Sequence, residues 1–177
     1  MSVLIRPVTL EDTPRLVEIY DYYVTHTAVS FEYETPSVAE FENRVRQISA
    51  EYPYLVIEAD GKVQGYAYAH AFIPRKAYQF CCELTIYLDK SARHQGLGRA
   101  LYTALEEELR QRGFRNLYAC IGVPLGDDPH LSMDSPKFHE RLGFTLAGTF
   151  RKSGWKFGRW YDMIWMEKLI NQEVKSP

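Results

Sequence analysis

Apolar and polar residues follow two rhythms along the chain, and their alternation predicts a mixed sheet with helices on its faces. Val3 to Val8 reads as a first strand. Thr9 stands three residues before Asp12, the spacing of a helix capping box, and the helix it starts carries Leu16, Ile19, Tyr20 and Tyr23 on one face. Ser37 and Glu40 repeat that signal before a second stripe of Phe41, Val45 and Ile48. Tyr54 to Glu58 and Val63 to Ala71 are strands joined across Asp60-Gly61, a pair suited to a tight hairpin turn. Cys82 to Leu88 is another strand, rich in β-formers. A helix from Arg99 to Arg112 follows, with Leu97, Leu101, Ala104, Leu105 and Leu109 at helical spacing and Gly113 as its stop. Asn116 to Ile121 is a strand, Gly122 to Ser132 a loop and Ser135 to Leu142 a short helix. Two late strands surround Lys156 to Arg159. The sum is an α/β fold of the α+β kind, with antiparallel hairpins early and late.

The 177 residues suggest one domain over 1–177. With 21 Lys and Arg against 23 Asp and Glu, the formal charge of −2 lacks the basic excess of a general nucleic-acid binder. The longest stretch free of Asp, Glu, Lys and Arg runs from Val63 to Pro74, too short for a transmembrane helix. The opening MSVLIRPVTLED has neither the basic start nor the apolar core of a signal peptide. Cys81, Cys82 and Cys120 are odd in number and without CxxC spacing, which fits reduced thiols and argues against a disulfide framework or a zinc site. Asp127-Asp128-Pro129-His130 reads as a solvated loop. The expectation is a cytoplasmic protein with no metal and no nucleic-acid or membrane partner.

The strongest local signal is the passage from the Cys82 strand through Arg93-His94-Gln95-Gly96-Leu97-Gly98 into a long amphipathic helix. The first turn of a helix has unpaired N–H groups and the positive end of the macrodipole, and glycines let an anion approach the main chain. Arg93 and Arg99 add charge and forked hydrogen bonding. A P-loop would need Lys and then Ser or Thr after the last glycine, where this chain has Arg99 and Ala100. A dinucleotide fingerprint would need a third glycine, where it has Leu101. What remains, R-x-x-G-x-G, suits a diphosphate not handled by a metal; the plainer alternative is a tight turn with glycines for backbone geometry alone.

R-x-x-G-x-G between a strand and a helix resembles the acetyl-CoA diphosphate loop of the GNAT N-acetyltransferase superfamily. AVSFE, GYAYAHAFIPRKAY, ELTIYLDKSARHQGLG, SPKFHERLGF and GWKFGRWYDM, in that order over most of the chain, are similar to the branch of phosphinothricin and methionine sulfoximine/sulfone acetyltransferases. The branch usually has Asn where this chain has Ser132, and often Thr where it has Cys81, so neither contact carries over. GVPLGDDPHLSM is also longer than usual.

The resemblance implies the acyl-CoA N-acyltransferase fold, acetyl-CoA as co-substrate, a small amino-acid-like amine as acceptor and a homodimer. It places cofactor contacts at Arg93, His94, Gln95, Gly96, Leu97, Gly98, Arg99 and Ser135. It lays the pantetheine amides along the main chain of Ile86, Tyr87 and Leu88, where the Cys82 and Asn116 strands splay. It also implies a bulge in the Cys82 strand. Glu83 is the expected general base, because an ammonium of pKa near ~10 must lose its proton before it attacks a thioester. The alternative is an edge carboxylate paired with an arginine. Glu83, Thr85 and Tyr87 share a face by alternation. His139, in FHERLGF, is the expected donor to the departing thiolate, or a residue packed beside the cofactor. Arg75 and Tyr78 are candidates for the acceptor's carboxylate. Phe31 and Glu32 are candidate pocket walls. Trp160, with Lys156 and Arg159, forms a hairpin that reaches the pocket, from a partner subunit in one arrangement. Competing readings are an acetyltransferase for protein N-termini, polyamines or aminoglycosides, and a CoA-binding sensor without turnover.

Overall fold

The computed structural model describes residues 2–171. Seven strands form one sheet: β1 (Val3–Pro7), β2 (Tyr54–Ala59), β3 (Lys62–Ala71), β4 (Cys81–Leu88), β5 (Asn116–Pro124), β6 (Thr145–Lys156) and β7 (Arg159–Leu169), in the spatial order β1-β2-β3-β4-β5-β7-β6. All neighbours are antiparallel except β4 and β5. Four helices cover it: α1 (Thr13–His26), α2 (Val38–Ser49), α3 (Leu97–Gln111) and α4 (Asp134–Arg141). The hydrophobic rhythm thus identified every strand and helix. Two boundaries differ by two residues or more. α3 begins two residues early, at Leu97. β5 runs on to Pro124, because β7 continues to pair with it through Tyr161. The expected Gly122–Ser132 loop therefore loses its first three residues to β5 and is irregular over the rest.

Local chemistry explains the starts. Asp12 accepts from the Thr9 amide at 2.8 Å while Arg6 bonds both its oxygens at 2.7 Å, so the turn before α1 is tied to β1. Ser37 Oγ accepts from the Glu40 amide at 3.2 Å and caps α2.

Alternation along the strands divides the core in two. On the front, Tyr54, Val56 and Tyr66 meet Leu16, Ile19, Tyr20 and Tyr23 of α1 and Phe41 and Val45 of α2. On the back, Leu55, Ile57, Ala67, Cys82 and Leu84 meet Leu101, Leu105 and Leu109 of α3. Those three leucines are fully buried, and truncating one to Ala costs about 2–5 kcal/mol.

The feature that matters for function is a wedge. β4 and β5 pair only from Cys81↔Asn116 to Glu83↔Tyr118. Beyond that point β4 stays with β3 as far as Gly65↔Leu88, and β5 stays with β7 as far as Pro124↔Tyr161. The two parallel strands therefore part after Glu83. The expected bulge in β4 is not there: its register with β3 is unbroken, so the alternation of its side chains holds over its whole length.

Candidate active site

At the open end of the wedge, β4 turns into α3. Asp89 fixes the exit, accepting from the Ser91 amide at 2.8 Å and pairing with Arg15 at 2.5 Å. Gly96 caps α3 in the left-handed region at φ 80°, which favours glycine. A Cβ on Gly98 would lie 3.1 Å from Leu88 Cδ1 and 3.3 Å from Phe138 Cε2, so this cradle is already filled by its neighbours. The first helical bond is Ala100 N–H to Gly96 O at 3.1 Å. The amides of Leu97, Gly98 and Arg99 are thus without helical partners, at the positive end of a 15-residue helix with no acid in its first turn. Arg93 lies over the rings of Tyr22 and Tyr23, at 5.5 and 5.2 Å from their centroids. Arg99 makes no ion pair among the described residues. Gln95 instead braces the turn, donating to Ser91 O at 2.9 Å. The donor set fits a diphosphate.

The wedge wall is narrower than expected. The Asp89 amide donates to Gln64 O at 2.7 Å, which fixes the phase of the ladder. Odd residues of β4 direct their main-chain groups to β3, and even residues direct theirs toward β5. Ile86 and Leu88 therefore face the wedge, and Tyr87 does not: its amide and carbonyl belong to the ladder with Tyr66, so its expected main-chain contact is corrected. Leu88 O already accepts from Tyr23 Oη at 2.6 Å, which leaves its amide.

Glu83 stands where the wedge begins. Its neighbour on β3 is His70, with Nε2 3.7 Å from Oε2, and its neighbour on β5 is Tyr118. The carboxylate is thus paired with an imidazole rather than an arginine. Burial pushes its pKa up, against the opposing pull of His70, which makes it a stronger proton acceptor. Phe72 stacks on Tyr118 at 4.1 Å and Tyr78 edges Phe72 at 6.2 Å, so the expected Tyr78 lies one ring beyond the carboxylate's neighbour. Arg75 is exposed in the β3–β4 link and has no ion-pair partner among the described residues.

The loop after α1 closes the front. Phe31 packs with Ala28, Leu131 and Tyr161. A Cβ on Gly122 would lie 3.3 Å from Phe31 Cζ, which places the ring over the part of β5 that borders the wedge. Glu32 is held by Arg44 at 2.6 Å. Glu32 and Arg44 line a chamber of about 160 Å³ floored by Tyr54, Tyr66 and Tyr68, and among the described residues the buried Tyr66 hydroxyl has no partner. The sequence reading missed Tyr66, Tyr68 and His70, though their every-second-residue spacing in GYAYAH puts all three on Glu83's side of the sheet.

Two expectations change. His139 is 3% exposed, with Nδ1 2.8 Å from Ser135 O and Nε2 3.1 Å from Tyr102 Oη. A carbonyl only accepts, so Nδ1 carries the proton and Nε2 accepts from Tyr102. Burial pushes the pKa down to about 4, against the Ser135 hydrogen bond. A neutral ring with both nitrogens occupied ties α4 to α3, and Ser135 serves that tie with its carbonyl. Trp160 pairs with Trp155 across the β6–β7 turn, on the opposite face from Tyr161 and Phe31, so within one chain it does not reach the front pocket. Lys156 is buried and bonds the loop main chain instead of the pocket.

His139 sets a pH dependence of stability. Its pKa is lower folded than unfolded, so its contribution is complete above pH 6.5 and is lost as pH falls from 6.5 toward about 4. In the His139→Leu chain, stability by urea unfolding should fall less steeply over that window. An unchanged slope would contradict the burial of a neutral ring.

The family model described as Acetyltransferase (GNAT) domain matches residues 5–165. The chain is 36% identical to phosphinothricin N-acetyltransferase of Streptomyces viridochromogenes, over 99% of this chain and 91% of that protein. It is 32% identical to L-methionine sulfoximine/L-methionine sulfone acetyltransferase of Pseudomonas aeruginosa, over 100% of both. The crystal structure of a GNAT superfamily phosphinothricin acetyltransferase from Sinorhizobium meliloti, in complex with AcCoA, superposes with a TM-score of 0.90 at 34% identity, covering 100% of this chain and 94% of that one.

Proposed function

The chain belongs to the GNAT acetyltransferase family, and from that premise we propose that it acetylates a small amino-acid-like amine of the phosphinothricin, methionine sulfoximine or methionine sulfone type, by direct attack with Glu83 as general base. The observation that carries the reading is a half-buried carboxylate with a raised pKa at the point where β4 and β5 part. Acetyl-CoA supplies an acyl carbon open to attack and a thiolate that leaves. The amides of Leu97, Gly98 and Arg99 hold its diphosphate, with Arg93 and Arg99 adding charge. The main chain of Ile86 and the amide of Leu88 receive the pantetheine as a strand edge receives a peptide. The Ile86 amide polarises the acyl carbonyl. Glu83 takes the proton of the acceptor's ammonium, Arg75 faces its carboxylate and Phe31 walls its side. A thiol of pKa near ~8.5 departs as thiolate without a dedicated acid, so His139 has only its structural role here.

The reading includes a pair of chains. Phe150, Trp155 and Trp160 are each about half exposed on the C-terminal hairpin, an apolar surface suited to a second copy, from which Trp160 reaches a partner's pocket.

Only the ionised Glu83 accepts a proton, so kcat/KM should rise with pH through its folded pKa. Burial moves that limb above the ordinary carboxylate value of 4.5. The Glu83→Gln chain should lose the limb. A wild-type limb at or below 4.5 would contradict the assignment.

Release of free thiol from acetyl-CoA across a panel of amines tests the substrate class. Turnover of phosphinothricin, methionine sulfoximine or methionine sulfone is expected. Turnover of peptides, polyamines or aminoglycosides alone would overturn the class, and saturable acetyl-CoA binding with no thiol release would favour a sensor.

A further inference from the structure

Lys156 sits at the tip of the C-terminal hairpin and is 2% exposed. Its Nζ donates to three main-chain oxygens, Val24 at 2.7 Å, Thr27 at 2.9 Å and Ser30 at 2.6 Å. All three ammonium protons are used and, among the described residues, no carboxylate forms an ion pair with it. Burying an ammonium is costly, and an apolar side chain would hold two elements together at less cost. The three carbonyls are not arbitrary. Val24 O lies in the last turn of α1, where carbonyls lack helical partners and the dipole is negative. Thr27 and Ser30 bracket the loop that leads directly to Phe31 and Glu32.

The same hairpin also seats the ring. Gly154, two residues before Lys156 and on the same face of β6, would place a Cβ 2.4 Å from Phe31 Cζ. The hairpin thus fixes this loop twice, by leaving room for Phe31 and by fastening the main chain just before it.

We infer that Lys156 is a positioning residue for the acceptor: it sets the height of Phe31 over the β5 side of the wedge without touching substrate. This rests on the acceptor site proposed above, in which Phe31 is a wall. The cofactor turn lies on other elements, between β4 and α3.

The test compares wild type with Lys156→Met, which keeps the length and loses every donor, and Lys156→Gln, which keeps two. With the best amine of the panel, KM for the amine should rise by about tenfold or more in Lys156→Met, the size expected when a positioning group shifts, and less in Lys156→Gln. KM for acetyl-CoA should stay within about twofold, and hydrogen exchange should quicken in residues 24–32. If Lys156→Met does not fold, Lys156→Gln carries the same comparison. A KM for the amine equal to wild type alongside a lowered melting temperature would reduce Lys156 to a stability strut and overturn the proposal, as would parallel increases in both KM values. Failure of the acceptor reading is seen separately, because wild type would then turn over none of the small amino-acid analogues.

Discussion

Replacing Glu83 with Gln should lower kcat by roughly 100- to 10,000-fold, the range a positioned general base supplies. The amide keeps the shape but cannot take a proton. Glu83 lies on β4, while the diphosphate turn lies beyond the strand's far end, so acetyl-CoA affinity should hardly change. Steady-state kinetics with a calorimetric titration of acetyl-CoA separates the two quantities. Wild-type kcat should fall toward low pH as the carboxylate is protonated and the variant should lack that fall, having no carboxylate to titrate, so the two differ most above the pKa of Glu83. A kcat within a few-fold of wild type across the pH range would make Glu83 a structural partner of His70.

Gly98→Asp should produce the other large effect, with the opposite division. A carboxylate there meets the positive end of α3, where a negative charge favours the helix itself. Its Cβ points at Leu88 and Phe138, but its charge stands beside the bare amides that the diphosphate must approach, and juxtaposed like charges cost several kcal/mol. Acetyl-CoA should bind roughly 100-fold more weakly or worse, since about 1.4 kcal/mol is a factor of ten. The neighbours Leu88 and Phe138, 3.1 and 3.3 Å from the added Cβ, must also shift. Unfolding temperature should also fall, because a carboxylate is set against two apolar side chains, so a circular dichroism spectrum equal to wild type is what distinguishes a lost anion site from a lost fold. Affinity equal to wild type would remove the main-chain diphosphate site from the account.

The fold was legible because its signals are local. Capping residues, a hairpin dipeptide and stripes of Leu and Tyr each specify an element without reference to the rest of the chain. The glycine turn was legible for the same reason, as Gly96 and Gly98 answer to backbone geometry at one place. What escaped depends on partners far away in sequence. Whether Tyr87 offers its main chain to a ligand is decided by ladder phase with Tyr66, which composition does not encode. What His139 bonds is decided by Tyr102 on another helix. The burial of Lys156 was not legible because Val24, Thr27 and Ser30, which hold it, lie more than a hundred residues earlier. The resemblance identified the family and several side chains, but the β4 bulge it implied is replaced here by a simple parting of two strands.

The most direct measurement is a crystal structure with CoA and the best amine of the panel bound together. The account predicts the diphosphate on the amides of residues 97–99, the sulfur within the β4–β5 wedge and the amine nitrogen within about 3.2 Å of the Glu83 carboxylate, or one water away. An amine placed farther off, or a diphosphate held anywhere other than the first turn of α3, would contradict it.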